Sequence, residues 1–241
     1  MTSQLYIRPA RQSDSATLSR ICLLTAEAGV SAEHLHTFGE LPGVIYAEPY
    51  VHLPFAGGFV LVDRSKSSSA SLHDDDNNEE EGGEVVGYAL SAFDTPRFEQ
   101  ELEKRWFPKY RIKYPLSLPD FPVPVSTSSP LVVAAAAPKE ADIRYINNIH
   151  NPPHASPGAL VFSLAHMHID ILPEYQKLGY GRKLIDTLVR WLKKEKGLER
   201  LWLGMDKRNV GARRFYEKLG FRDLEGAPEG VVGIEFEDWK G

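Results

Sequence analysis

A glycine-bearing turn set between a strand pattern and a helix pattern constrains this chain more than any other stretch. The sequence there runs Asp170-Ile171-Leu172-Pro173-Glu174-Tyr175-Gln176-Lys177-Leu178-Gly179-Tyr180-Gly181-Arg182-Lys183-Leu184. The run from Phe162 to Leu172 predicts a strand before the turn. After it, Leu184, Ile185, Leu188, Val189 and Leu192 recur at helical spacing. Lys193, Lys194, Lys196 and Gly197 then close the helix, with cations at the negative dipole end and glycine at the exit. Leu201-Trp202-Leu203-Gly204-Met205 predicts the next strand. Glycines allow a sharp turn and close approach to a ligand, and a helix start presents N–H groups to an anion. A diphosphate is the natural guest. Neither the Gly-Lys-Ser/Thr of a phosphate-binding P-loop nor the dinucleotide-fold glycine spacing is present.

Similar patterns continue on both sides. Leu5–Pro9 predicts a first strand, and Ser13 or Asp14 a cap for a helix carrying Leu18, Ile21, Cys22 and Thr25 on one face. Gly58–Val62 and Glu84–Leu90 predict two paired strands. Thr95-Pro96 predicts a helix start with the threonine hydroxyl as cap, followed by Phe98, Leu102 and Trp106 on one face. Ala212, Phe215, Tyr216 and Leu219 predict a final helix ending at Gly220, and Val231 to Phe236 a last strand. The 65–83 segment, serine-rich and then acidic, predicts a disordered insertion between the paired strands. A second, proline-rich insertion, 115–158, is expected to be irregular, with a short helix near Ile143–Ile149.

With 241 residues, the expectation is a single domain, 1–241, carrying those two insertions. The lone cysteine, Cys22, excludes an internal disulfide and a Cys-rich metal site, and fits a reducing, cytoplasmic setting. His34, His36, Cys22 and His150 match no common ligand spacing, so no metal is expected. A net charge of −5 argues against a broad nucleic-acid surface, and no apolar run is long enough to span a bilayer. No signal peptide is expected at the start of the chain.

The combination of strand, Gln-x-x-Gly-x-Gly turn, helix, strand, Asn209 and Phe215-Tyr216-Glu217-Lys218-Leu219-Gly220-Phe221 resembles the cofactor half of the GNAT acetyltransferase superfamily over about residues 160–222. His166-Met167-His168-Ile169-Asp170, Ile149-His150-Asn151-Pro152-Pro153, Gly87-Tyr88-Ala89, Asp94-Thr95 and Trp106-Phe107-Pro108 resemble a bacterial and fungal branch. That branch is related to the acetyltransferase-like domain of O-GlcNAc hydrolases, and some members are regarded as pseudo-acetyltransferases. The resemblance implies a mixed α/β (α+β) fold, with a mostly antiparallel central sheet flanked by helices. It also implies acetyl-CoA as co-substrate and direct N-acetyl transfer in a ternary complex.

Within that frame the expected cofactor residues are Ile169, Ile171, Leu172, Gln176, Lys177, Leu178, Gly179, Tyr180, Gly181, Arg182, Lys183, Asn209, Arg213 and Tyr216. The 177–182 amides would hold the pyrophosphate, and the 169–172 strand would align the pantetheine and polarise the thioester. Asn209 reads equally well as a ligand of the pantetheine arm and as the cap of the final helix. Period-two alternation places His166, His168 and Asp170 on one face. Asp170 and His168 are the candidate proton acceptors and Tyr216 the candidate donor to the leaving thiolate, whereas His166 reads as a packed sheet residue. Cys22 is expected far from these motifs. Tyr46, Glu48, Tyr50, His150 and Asp170 are expected to shape the acceptor pocket.

A small-molecule amine is the expected acceptor, with an amino sugar such as glucosamine leading and a peptide amine second. The competing class is a GNAT-fold sensor of CoA or amino sugar without catalysis. The expected partners are CoA and the acceptor, with neither nucleic acid nor a membrane, and a homodimer left open.

Overall fold

The computed structural model describes residues 4–66, 82–117 and 137–239. Most of the 65–83 insertion and the 118–136 part of the proline-rich segment lie outside the described residues. In chain order the elements are β1 (Leu5–Pro9), α1 (Ser15–Leu23), α2 (Leu41–Tyr46), α3 (Pro49–His52), β2 (Ala56–Asp63) and β3 (Glu84–Ala92). Then come α4 (Thr95–Glu101), α5 (Phe107–Lys113), α6 (Glu140–His150), α7 (Pro157–Phe162) and β4 (His166–Ile171). The last are α8 (Tyr180–Lys196), β5 (Arg200–Gly204), α9 (Val210–Leu219), β6 (Arg222–Asp223) and β7 (Val231–Glu235).

Seven strands form one sheet in the order β1-β2-β3-β4-β5-β7-β6. Every pairing is antiparallel except β4–β5. This is the mixed, mostly antiparallel, helix-flanked sheet that the family resemblance implies. The apolar stripe of α8, Leu184, Ile185, Leu188, Val189 and Leu192, is buried in the main core with Leu18, Ile21, Val60, Leu61 and Tyr88. Gly197 and Gly220 end α8 and α9 at φ 67° and 101°, conformations that glycine adopts without a Cβ clash.

Several local expectations are corrected. Asp14 precedes α1, but its carboxylate takes both Arg8 guanidinium nitrogens at 2.7 Å and the Arg11 N–H rather than capping the helix. Asp94, not Thr95, caps α4 by accepting from the Arg97 N–H, because the Thr95 hydroxyl donates to the Leu164 carbonyl. A π-helical turn, Leu102–Trp106, rotates the chain after α4. Phe98 therefore joins the main core while Trp106 joins a second cluster, and Leu102 touches both. Phe162 ends α7 instead of opening a strand, since the Ser156 hydroxyl and Pro157 set a helix start. The expected short helix near Ile143–Ile149 extends over Glu140–His150.

The second cluster packs α2, α5 and α6 through Leu41, Val44, Phe107, Tyr145, Ile146 and Ile149. Asp142 pins it. Its fully buried carboxylate accepts from His36 Nδ1, Thr37 N–H and Lys139 N–H, each at 2.8 Å, and from Phe38 N–H at 3.4 Å. Burial pushes this carboxyl up, but the N–H donors and His36 outweigh it, so its pKa lies below the usual range. A lowered folded pKa means that this stabilisation is present above the ordinary carboxylate range and lost as pH falls through the folded value. Asp142→Ala leaves four donors without their acceptor and should destabilise the protein by about 3 kcal/mol. Urea unfolding at neutral pH measures this, and the deficit should shrink as the buffer is made acidic.

Candidate active site

Strands β4 and β5 run parallel but share a single register pair, His166↔Trp202. Beyond it they separate, and a cleft of about 680 Å³ opens between them, lined by Met167–Asp170 on one side and Leu203–Asp206 on the other. The backbone shows which groups face the gap. Leu172 N–H bonds the Val86 carbonyl of β3 at 3.0 Å. Amides alternate sides along a strand, so the main-chain groups of Ile169 and Ile171 point away from β3, toward the gap. Gln176 Nε2 then donates to the Ile171 carbonyl at 2.8 Å, which fixes the following turn against the strand end.

That turn is exposed and lies just past the cleft. Gly179 stands at the start of α8 with φ 85°, Lys177 also has positive φ, and a Cβ on Gly179 would meet nothing within 4 Å. The first bond of the helix ladder is Lys183 N–H to Gly179 O, 3.3 Å. A Cβ on Gly181 would stand 3.2 Å from Phe215 Cζ, so glycine lets α8 and α9 approach here. Asn209 caps α9 by accepting from Ala212 N–H at 2.9 Å and lines the cleft too. The open strand edge, the helix start and the cap form a continuous surface suited to an extended, phosphate-bearing chain with amide groups.

The expected face of β4 holds: His166, His168 and Asp170 all line the cleft, with Tyr216 of α9 beside them. Asp170 accepts from the Tyr88 hydroxyl at 2.5 Å. Burial pushes its carboxyl up to about 6, against the lowering effect of hydrogen bonds from Tyr88 and Thr25. Tyr216 is buried against Phe215 and Phe221, and burial together with the nearby Asp170 charge raises its phenol well above the usual tyrosine value. Burial lowers His168 to about 4, and its ring packs on Tyr46 and Tyr50.

His166 is the packed sheet residue expected. Thr95 Oγ1 has one proton, which the Leu164 carbonyl takes at 2.7 Å, so His166 Nδ1–H donates to Thr95 at 2.6 Å. Nε2 is then the acceptor for the Tyr50 hydroxyl, also at 2.6 Å. Burial lowers the pKa of this imidazole, in keeping with the neutral tautomer.

Tyr46 and Tyr50 reach the cleft, whereas Glu48, His150 and Arg213 do not. Glu48 turns away and accepts from Ser15. His150 bonds the Tyr114 carbonyl at 2.8 Å, tying the end of α6 to the residue after α5. Arg213 is held by Glu217 and by both oxygens of Asp223, each contact 2.6 Å, so its guanidinium is committed away from a cofactor. Cys22 corrects the opposite way. It lines the cleft near Tyr88, while burial raises its thiol far above a reactive range. His34 pairs with Glu27 and His36 with Asp142. No group of three His, Cys, Asp or Glu side chains among the described residues is arranged to hold a metal ion.

Sequence reasoning missed Tyr88, Glu99, Tyr145, Asn148 and His154. Of these, Glu99, Tyr145, Asn148 and His154 line the cleft, and Glu99 holds both His154 Nδ1 and Ala155 N–H. Tyr145 and Asn148 were within reach of the helical spacing of α6, and Tyr88 of the strand alternation of β3.

The sequence profile of the Acetyltransferase (GNAT) family matches residues 155–221. The ribosomal protein bS18-alanine N-acetyltransferase of Haemophilus influenzae is 45% identical over 58 residues, 24% of this chain and 38% of that enzyme. Its Escherichia coli K12 counterpart is 39% identical over 56 residues, 23% of this chain and 37% of that enzyme. The chain thus matches well under half the length of these curated relatives. Among solved structures, the crystal structure of SsHAT is 30% identical, with 97% of this chain and 98% of that one covered and a TM-score of 0.71. Among the described residues, no helix is long and apolar enough to cross a membrane.

Gly179→Val forces a left-handed conformation on a β-branched residue, and Gly181→Val drives side-chain atoms into Phe215. The double variant should lose the thermal stabilisation by CoA, which for an intact site is about 2.7 kcal/mol at 100-fold excess over Kd. A thermal-shift titration checks this, and an unchanged CoA response refutes the assignment of this turn.

Proposed function

Because the chain belongs to the GNAT acetyltransferase family, we propose that it transfers an acetyl group from acetyl-CoA to the amine of a small acceptor, the whole chain acting as one unit. The observation that carries this reading is one cleft holding Asp170 and Tyr216 beside an open strand edge. The residues present fit acetyl-CoA. Ile169 and Ile171 offer main-chain groups to the pantetheine, Asn209 stands at the same cleft, and the Lys177–Lys183 turn suits the pyrophosphate with Arg182 and Lys183 adding charge. When bound, acetyl-CoA supplies a thioester-activated acyl group and a thiol leaving group of pKa about 8.5.

The protein's own residues divide the proton traffic. Asp170, at about 6, is ionised at neutral pH and accepts a proton from the acceptor amine, directly or through water. Tyr216 keeps its proton because burial and the Asp170 charge disfavour the phenolate, and it donates that proton toward the leaving sulfur. His168, at about 4, is a weak base at neutral pH. Its part is therefore to wall the acceptor end with Tyr46 and Tyr50. Cys22 forms no acyl intermediate, since its buried thiol stays protonated.

An amino sugar such as glucosamine is the leading acceptor. Tyr46, Tyr50 and Tyr145 give flat apolar walls for a sugar ring, while Asn148 and Glu99 offer polar groups for hydroxyls. The resemblance to the O-GlcNAc hydrolase-related branch points the same way by analogy. A peptide amine is the second reading, favoured by the bacterial relatives, whose names specify a ribosomal-protein alanine.

Thiol release from acetyl-CoA should be measured across amino sugars, polyamines, arylamines and peptides. Turnover should be highest with an amino sugar, and binding of CoA with no turnover on any amine would establish a sensor instead. Tyr216→Phe should keep acetyl-CoA binding but lower turnover by about 10²–10⁴-fold. Asp170→Asn should lower turnover and spare the cofactor. Since Asp170 acts as the base when ionised, wild-type rate should hold above about pH 6 and fall as pH drops through that value.

A further inference from the structure

Tyr88 makes a contact that the assignment above leaves without a role. It is fully buried on β3 and stands directly opposite Asp170 in the β3–β4 register. Its O–H donates to Asp170 Oδ2 at 2.5 Å. The two strands are bonded in this register by Leu172 N–H and the Val86 carbonyl, so backbone pairing holds donor and acceptor face to face. The buried Cys22 thiol of α1 lies near enough to disfavour ionisation of this hydroxyl further.

The other groups around Asp170 do not replace this donor. Thr25, after α1, has a lowering influence on Asp170, but its hydroxyl proton is taken by the Ile21 carbonyl at 2.9 Å. Tyr216 faces the carboxylate from α9, and His168 stands two residues back on the same face of β4. None of these neighbours, Cys22, Thr25, Tyr88, Tyr216 or neutral His168, is a cation.

We infer that Tyr88 is a positioning residue for acyl transfer: its O–H holds Oδ2 of Asp170 at the cleft wall and favours the charged carboxylate. This rests on the proposed role of Asp170 as proton acceptor. Burial already pushes Asp170 up, and loss of a donor that favours the charged form raises it further.

Tyr88→Phe keeps the ring and its packing and removes only the donor. The acid limb of the kcat/KM profile should move up by about 1–2 pH units. Turnover near pH 6 should then fall about 5- to 50-fold and recover by about pH 9, with KM for acetyl-CoA unchanged. A purely structural defect lowers the rate at every pH and shifts no limb. Carbon-13 titration of the Asp170 carboxyl in the unliganded protein, assigned through Asp170→Asn, should show the same upward shift without reference to turnover. An unshifted limb and an unshifted carboxyl in folded Tyr88→Phe overturn the inference. If Asp170→Asn turns over like wild type, the base assignment itself fails, and the carboxyl titration alone then decides the Tyr88 contact. Should Tyr88→Phe not fold, a fluorinated tyrosine introduced at position 88 is a stronger donor and should lower the Asp170 value; no shift there overturns the inference as well.

Discussion

Strands β4 and β5 separate without unravelling the sheet because they are clamped where they last touch. His166 sits at that point with both ring nitrogens bonded, its carbonyl taken by the Ser91 hydroxyl at 2.7 Å and its ring packed 5.1 Å from that of Trp202. Trp202 N–H closes the last bond between the strands, on the Ala165 carbonyl. A buried imidazole with an unmet nitrogen would be costly, and here α3, α4 and the sheet each contribute one partner. Past the clamp, Ile169 and Ile171 turn main-chain groups toward a gap that no strand fills. Such an edge usually finds a neighbouring strand. In the proposed reading it serves an extended ligand with amide groups of its own.

The chemistry of the cleft follows from the same enclosure. Asp170 sits among tyrosines, a thiol and a neutral histidine, so hydrogen bonds offset only part of the cost of its charge. The balance leaves it near neutrality, where a carboxylate can take a proton from an amine and pass it on. The same burial drives Tyr216 the other way in function, since a phenol whose ionisation is disfavoured stays a donor. One environment thus suits Asp170 to the proposed base role and Tyr216 to the proposed acid role. It also silences Cys22, whose thiolate would be a competing nucleophile.

The proposed acceptor end depends on packing remote from the sheet. Tyr145 and Phe107 belong to the cluster of α2, α5 and α6, and both reach the cleft wall. That cluster is tied through Asp142 to the 36–38 segment and through Trp106 Nε1 to the Val44 carbonyl. In the proposed reading, the acceptor end is therefore shaped in part by helices outside the β4–turn–α8–β5 unit.

Local periodicity was enough to read most elements: the β4–turn–α8–β5 unit, the paired β2 and β3, the Asn209 cap and the glycine exits of α8 and α9. These follow from interactions between residues a few positions apart, where alternation, capping and left-handed glycine leave a direct imprint. The shared face of His166, His168 and Asp170 was legible for the same reason. What a polar side chain bonds to was not. Thr95 looked like a cap until His166, 71 residues later, and the Leu164 carbonyl claimed its hydroxyl. His150 rather than His154, Glu48 rather than Glu99, and Arg213 as a cofactor ligand were plausible by residue type alone. Cys22 seemed remote because α1 is distant in sequence, yet α1 packs on β3 and β4 and brings its thiol to Tyr88. Hydrogen bonds and buried charges are satisfied by whatever the folded chain brings near, so only the tertiary structure decided which candidate side chains meet at the cleft.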